Sequence, residues 1–262
     1  VNININYCHF ISNKISNSSS GQGLLGTLSI TQGNTAIITN CYFENNENFD
    51  RGGAIFTSSP TQIINCTFIN NYSDVEGGAI STQIPDNNII IKRSTFIDNS
   101  TPLNNGNGGA IYLYTYNNSS NSKPHNIIEN SLFAGNKAFR GGAIQVSGEG
   151  SVLLNHITAT NNSVGLNNDG DGGFLFNSSN ANIEIMNTII WSNNGENIFY
   201  GYKNGLDNIS YSLLQDGITG FNTATGTGIL TSDPRFLDPD ASNYTLSNYS
   251  PAIGAGNFGS IT

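Results

Sequence analysis

Few side chains in this sequence could do chemistry, and most of them sit at recurring places. Arg51 and Arg140 each stand directly before a Gly-Gly-Ala-Ile block, and Lys92-Arg93 lies between the aliphatic Ile91 and Phe96. A basic group of this kind could act as the base of a polysaccharide lyase beside a cation that neutralises a uronate. A glycosidase would need two carboxylates placed across a sugar bond. The places equivalent to Arg51 and Arg140 hold Glu76, Asn107 and Asp171 elsewhere in the chain. Such variability marks solvated corner residues, so no catalytic residue is assigned.

Asn167-Asn168-Asp169-Gly170-Asp171-Gly172-Gly173 alternates oxygen donors with glycine, as a calcium loop does. The spacing departs from an EF-hand, because Gly173 stands where a third ligand belongs and Asn180 occupies the twelfth place. Asp169 and Asp171 are therefore the calcium candidates, while a polar turn accounts for them without a cation. Asp233, Asp238 and Asp240, beside Pro234 and Pro239, read as turn residues, and no cofactor is expected. His9, His125 and His156 share no close spacing and accompany no nucleophile motif; His156 reads as a hydrogen-bonded core histidine. Tyr112, Tyr114 and Tyr116 alternate along a strand and could present an outward aromatic strip to carbohydrate or protein, although ordinary strand packing would use the same spacing.

The elements that must carry these residues are repeats. Gly-Gly-Ala-Ile recurs at Gly52-Gly53, Gly77-Gly78, Gly108-Gly109 and Gly141-Gly142, with a variant at Gly172-Gly173-Phe174-Leu175. A second motif sets Phe three residues before Asn: Phe10 and Asn13, Phe43 and Asn46, Phe68 and Asn71, Phe96 and Asn99, Phe133 and Asn136. Degenerate copies follow at Thr158 and Asn161, then Ile190 and Asn193. Aligned on the Phe, an aliphatic column holds Ile5, Ile38, Ile63, Ile91, Ile128, Leu153 and Ile185. A small-residue column holds Cys8, Cys41, Cys66, Ser94, Ser131, His156 and Thr188, and Asn40, Asn65, Asn130, Asn155 and Asn187 form another.

Repeats of this length signal a solenoid. Such columns fit parallel strands stacked about 4.8 Å apart, with Ile and Phe inward and Asn at corners, where its amide can bond the same amide one coil on. The paired glycines permit positive φ or close backbone approach. The expected fold is all-β: a single-stranded right-handed parallel β-helix of about eight coils, in one domain over residues 1–262. Regular coils occupy 1–195 and irregular closing coils 196–262. No window shows helical periodicity, and a β-sandwich, the structural competitor, would not repeat both motifs in every coil. Cys41 and Cys66, on neighbouring coils, would approach disulfide distance, but stacking need not give the dihedral, so buried free thiols are expected.

The paired motifs resemble those of right-handed β-helix surface proteins, the passenger regions of the polymorphic outer-membrane protein family, over roughly residues 1–195. The segment with Asp233-Pro234-Arg235-Phe236 and Ser250-Pro251-Ala252-Ile253-Gly254 resembles the closing coil of exported bacterial β-helix proteins, with Gly254 where that group commonly carries Asp. The resemblance implies export to the cell surface and an adhesive or passenger role, and it carries over no catalytic set.

Composition bounds the partners. The net charge is -9 and only 9 Lys plus Arg are spread along the chain, so nothing here could neutralise a run of phosphates, and nucleic acid is not an expected partner. No stretch is apolar for long enough to span a membrane as a helix. The expectation is a non-enzymatic extracellular or cell-surface structural or adhesive module, with a polysaccharide lyase or glycoside hydrolase as the alternative. Its partners would be carbohydrate or protein at a surface. Val1, Ile3 and Ile5 already alternate as a strand, and its open edge is expected to be covered either by upstream sequence absent here or by a further copy stacking end to end, which would give a fibre if repeated.

Overall fold

The computed structural model describes residues 2–16, 26–31, 33, 35–84, 88–115, 125–165, 172–195, 199–201, 207–215, 217–218 and 225–257. The sequence columns become rows of paired residues. Ile38, Ile63, Ile91 and Ile128 follow one another in register, as do Phe10, Phe43, Phe68, Phe96 and Phe133. Ile55, Ile80, Ile111, Ile144 and Leu175 do the same on another side. Parallel pairing of equivalent residues from successive repeats, on more than one side, makes a parallel β-helix. Among the described residues the strands pair in parallel except in one hairpin, Phe236–Asp238 with Asn243–Leu246, and that excludes the sandwich.

Two bends shape each coil, and each needs a left-handed residue. The first falls at Tyr7, Asn40, Asn65, Arg93, Asn130, His156, Asn187 and Tyr211, with φ between 49° and 55°. The second falls at Ser12, Asn45, Asn70, Asp98, Gly135, Asn161 and Ser192. Asn and Asp adopt this conformation at lower cost than other side chains, which accounts for Asn at 40, 45, 65, 70, 130, 161 and 187. The paired glycines answer two separate needs. Gly52 has φ 66°, whereas a Cβ on Gly53 would stand 2.2 Å from the Gly78 carbonyl of the next coil.

Inside, the Phe rings stack face to face. Centroids lie 4.7 Å apart for Phe10 and Phe43, 4.8 Å for Phe43 and Phe68 and for Phe68 and Phe96, and 4.7 Å for Phe96 and Phe133. Phe43, Phe68, Phe96 and Phe133 are fully buried. After Phe133 the slot holds Ala159. There Phe174, which replaces the Ala of the glycine block, turns its ring edge-on to Phe133 at 6.4 Å. The volume missing from one column is supplied by its neighbour, as close packing demands.

Beside the rings runs a fully buried amide ladder through Asn46, Asn71, Asn99, Asn136 and Asn162. The backbone N–H and Nδ2 of Asn46 both donate to Asn71 Oδ1, at 3.1 and 2.9 Å. Asn71 donates likewise to Asn99, Asn99 to Asn136, and Asn136 to Asn162. The second Nδ2 hydrogen reaches the Phe carbonyl of the preceding coil, as from Asn71 to Phe43 at 2.9 Å. Each internal rung therefore has its amide satisfied, which is the condition for burying it.

One coil departs from the sequence alignment. Phe133 pairs with Ala159, not Thr158, and Asn136 with Asn162, not Asn161. The aliphatic slot is accordingly filled by Leu154, not Leu153. A one-residue slip exchanges inside for outside along a strand. Hence His156 sits at the half-exposed first bend, not in the inward small-residue column, where Ile157 stands instead.

In the segment expected as closing coils, Asp207–Ser210, Leu213–Leu214 and Thr225–Thr227 continue the parallel ladders. The chain then leaves them: residues 233–257 fold back along the flank as the antiparallel hairpin, with Asn257 N–H donating to Asn187 Oδ1 at 2.7 Å.

Candidate functional site

Of the basic residues singled out for catalysis, Arg51, Arg140 and Lys92 are engaged in structural contacts, whereas Arg93 is exposed at the first bend. Arg51 pairs with Glu76 at 3.3 Å and with Asp50 at 3.8 Å. Burial raises the Glu76 carboxyl above its ordinary value, and Arg51 pulls it partly back. The guanidinium of Arg140 lies over the rings of Phe139 and Phe176, at 5.2 and 5.5 Å, a cation–π arrangement. Lys92 pairs with Glu129 at 3.0 Å. Arg51, Glu76, Asn107 and Arg140 form one bridged row of corner residues.

Tyr112 and Tyr114 belong to the strand Ile111–Thr115, whose neighbours are Ile80–Ile84 and Ile144–Gly148. Tyr112 is almost entirely buried in the row Phe56, Ser81, Tyr112, Gln145, Phe176, and burial raises its phenol above the ordinary value. Tyr114 is half-buried and walls a recess of about 480 Å³ with Ser147, Glu149 and Ser178. Tyr116, Asp169 and Asp171 lie outside the described residues. Of the aromatic strip, Tyr114 is the described member with an exposed face.

The small-residue column is a second ladder. Cys8 N–H donates to Cys41 Sγ and Cys41 N–H to Cys66 Sγ, both at 3.4 Å; Cys66 N–H donates to Ser94 Oγ at 3.2 Å and Ser94 N–H to Ser131 Oγ at 3.1 Å. From Cys41 on, each thiol or hydroxyl accepts from the preceding coil, and all of them, Cys8 included, donate to a carbonyl two residues back, as Cys66 does to Ile64. The cysteines are free, with Cys41 and Cys66 buried. Burial pushes the Cys66 thiol up to about 11, which keeps it protonated and unreactive at neutral pH.

The acidic residues near the hairpin serve turns. Asp233 Oδ1 accepts from Arg235 N–H at 2.7 Å, and Asp238 Oδ1 accepts from Ala241 N–H at 3.2 Å to cap a short 3-10 turn, Pro239–Ala241. Asp233 and Asp240 do line a cavity of about 270 Å³ with Trp191 and Arg235. Both are exposed to solvent. Among the described residues no group of three or more His, Cys, Asp and Glu could hold a metal ion.

Sequence reasoning missed the flank beneath the hairpin, where Ser242–Thr245 overhangs the first-bend residues Arg93, Asn130 and His156. The repeat columns carry no signal for a segment that folds back across them; the turn residues around Pro234 and Pro239 were the available clue.

Residues 65–83 and 93–114 match the model of the Chlamydia polymorphic membrane protein (Chlamydia_PMP) repeat. No curated protein and no solved structure matches the chain. The matched stretches hold Phe68, Asn71, Gly77-Gly78, Phe96, Asn99 and Gly108-Gly109, the ring stack, the amide ladder and the close-approach glycines. The repeats are thus similar to those of an outer-membrane-associated surface protein of bacteria, and no helix is long and apolar enough to cross a membrane.

Proposed function

We propose that this β-helix is a non-enzymatic, surface-exposed adhesive module of the passenger type. One observation carries the reading: the chain spends its reactive-looking side chains on construction. Arg51, Lys92 and Arg140 are held in ion pairs or on aromatic rings, the cysteines complete a hydrogen-bond ladder, and Asp233 and Asp238 hold turns. What faces outward is a sparsely charged surface rich in Asn, Ser, Thr and Tyr on a rigid rod, suited to many weak hydrogen bonds with carbohydrate or protein. Tyr114 and its recess are one candidate contact point.

The test is attachment. Beads coated with the folded chain should adhere to host-type cell surfaces in a manner competed by the soluble chain. Incubation with acidic and neutral polysaccharides should release no reducing ends or unsaturated products. Attachment no better than that of beads bearing an unrelated solenoid would sink the adhesive reading, and product release would replace it with the lyase or hydrolase one.

A further inference from the structure

The first bend carries an outer amide ladder of its own. Asn40 Nδ2 donates to Asn6 Oδ1 at 2.9 Å and Asn65 Nδ2 to Asn40 Oδ1 at 2.6 Å. Further along the rod, Asn187 Nδ2 donates to Asn155 Oδ1 at 3.0 Å. Between these stretches the ladder is interrupted. The same backbone slot holds Arg93, then Asn130, then His156, all left-handed. Among the described residues no ion pair or side-chain hydrogen bond engages any of the three. The interruption coincides with the hairpin's overhang.

Together they enclose a groove of about 590 Å³, whose floor is Arg93, Asn130 and His156 and whose far wall is Ser242, Asn243, Tyr244 and Thr245. The Tyr244 ring is held edge-on to Phe236, centroids 5.6 Å apart at 80°. Among the described residues no carboxylate lines this groove, in a chain whose net charge is -9. The nearest acid in sequence, Glu129, is paired with Lys92 at 3.0 Å and is not in the lining.

We infer that this groove binds a saccharide bearing a carboxylate, lying along the rod axis. Arg93 takes the carboxylate through its planar fork of donors, the strongest form of anion recognition a side chain offers. Asn130 and His156, one coil apart, meet ring hydroxyls, and the hydroxyls of Ser242 and Thr245 meet them from the other side. Tyr244 supplies an aromatic wall against a sugar face. A saccharide fits better than an acidic peptide because the described lining is largely hydroxyl and amide with Leu132 as its one aliphatic member, offering an apolar side chain almost no pocket. The inference rests on the adhesive reading by naming a ligand class for it.

The experiment is a calorimetric titration of the whole chain with a uronate oligosaccharide, a neutral oligosaccharide of equal length and a polyglutamate peptide. Arg93→Asn is the informative variant, since Asn is the residue that the same left-handed slot holds at positions 40, 65 and 130; His156→Asn repeats the test two coils along. The uronate should bind saturably, the neutral sugar and the peptide at least about ten times more weakly, and Arg93→Asn should weaken the uronate by about ten-fold or more. Its melting temperature should stay unchanged. Equal binding of neutral sugar or peptide, no binding of the uronate, or full affinity in both variants would overturn the inference. Bead attachment that survives Arg93→Asn while uronate binding is lost would leave the adhesive reading intact and remove this groove as its contact.

Discussion

Asn71 is the rung at which the buried ladder can be tested most sharply. Its Oδ1 accepts from Asn46 N–H at 3.1 Å and Asn46 Nδ2 at 2.9 Å, and its Nδ2 donates to Phe43 O and Asn99 Oδ1, each at 2.9 Å. Asn71→Ala leaves two donors of Asn46 without an acceptor in a site of zero exposure. A buried orphaned donor costs about 1–3 kcal/mol, so the loss should be about 2–6 kcal/mol, before any cavity term. Asn13→Ala is the control. Asn13 is exposed and only donates to Asn46 Oδ1, which would still accept from the Asn13 backbone N–H; the expected cost is below about 1 kcal/mol.

Asn71→Asp separates shape from bonding. It keeps the volume and can accept from Asn46, but an ionised carboxylate cannot donate to Phe43 O or Asn99 Oδ1, so it should cost at least as much as alanine. Urea unfolding followed by circular dichroism and by the fluorescence of the single tryptophan, Trp191, reads all three. If Asn71→Ala unfolds within about 0.5 kcal/mol of the parent, the ladder does not hold the coils together and the argument fails.

Three further outcomes can be checked. Phe68→Asp loses the burial of a ring sandwiched between Phe43 and Phe96, about 1.5–3 kcal/mol, and adds a buried charge, so it should unfold coils beyond its own; a parent-like melt would show that the stack is dispensable. The folded-state value of about 11 for Cys66 lies above the ordinary 9.0, so the stability tied to this thiol is complete below pH 9 and is lost as the pH rises through 11. Cys66→Ser, which installs the residue found at 94 and 131, should flatten that alkaline decline in the urea midpoint, and an unaltered decline would assign it to other groups. Chelation or addition of calcium should leave the melting temperature unchanged; a large drop on chelation would show that Asp169 and Asp171 hold a cation.

The solenoid was legible because the chain repeats two kinds of constraint that few residues satisfy. Gly77-Gly78 must leave room for a neighbouring carbonyl, and Phe68 with Asn71 must continue a stack and a ladder begun one coil earlier. The register failed where those constraints lapse. Ala159 replaces the Phe, and Asn161-Asn162 offers two candidates for one ladder position. The doublets Asn45-Asn46 and Asn70-Asn71 contain the missing rule: the first residue makes the left-handed bend and the second enters the ladder. With that rule His156 falls at the first bend without recourse to coordinates. The burial of Tyr112 was not legible, because strand alternation says which side a residue takes and not what covers that side. The return of the hairpin was hidden for a related reason, since a segment that crosses the rungs shares none of their periodicity.

Each internal ladder rung receives from one neighbour the same bonds that it gives to the other. A whole coil, counted from one ladder Asn to the next, can therefore be removed or duplicated without stranding a donor or an acceptor. Length becomes a quantity the gene can adjust in steps of about 4.8 Å, while the ladder pairing stays the same. How far such a rod reaches and what its flank recognises can then change independently, because reach depends on the number of coils and recognition on the few bend positions released from the ladder.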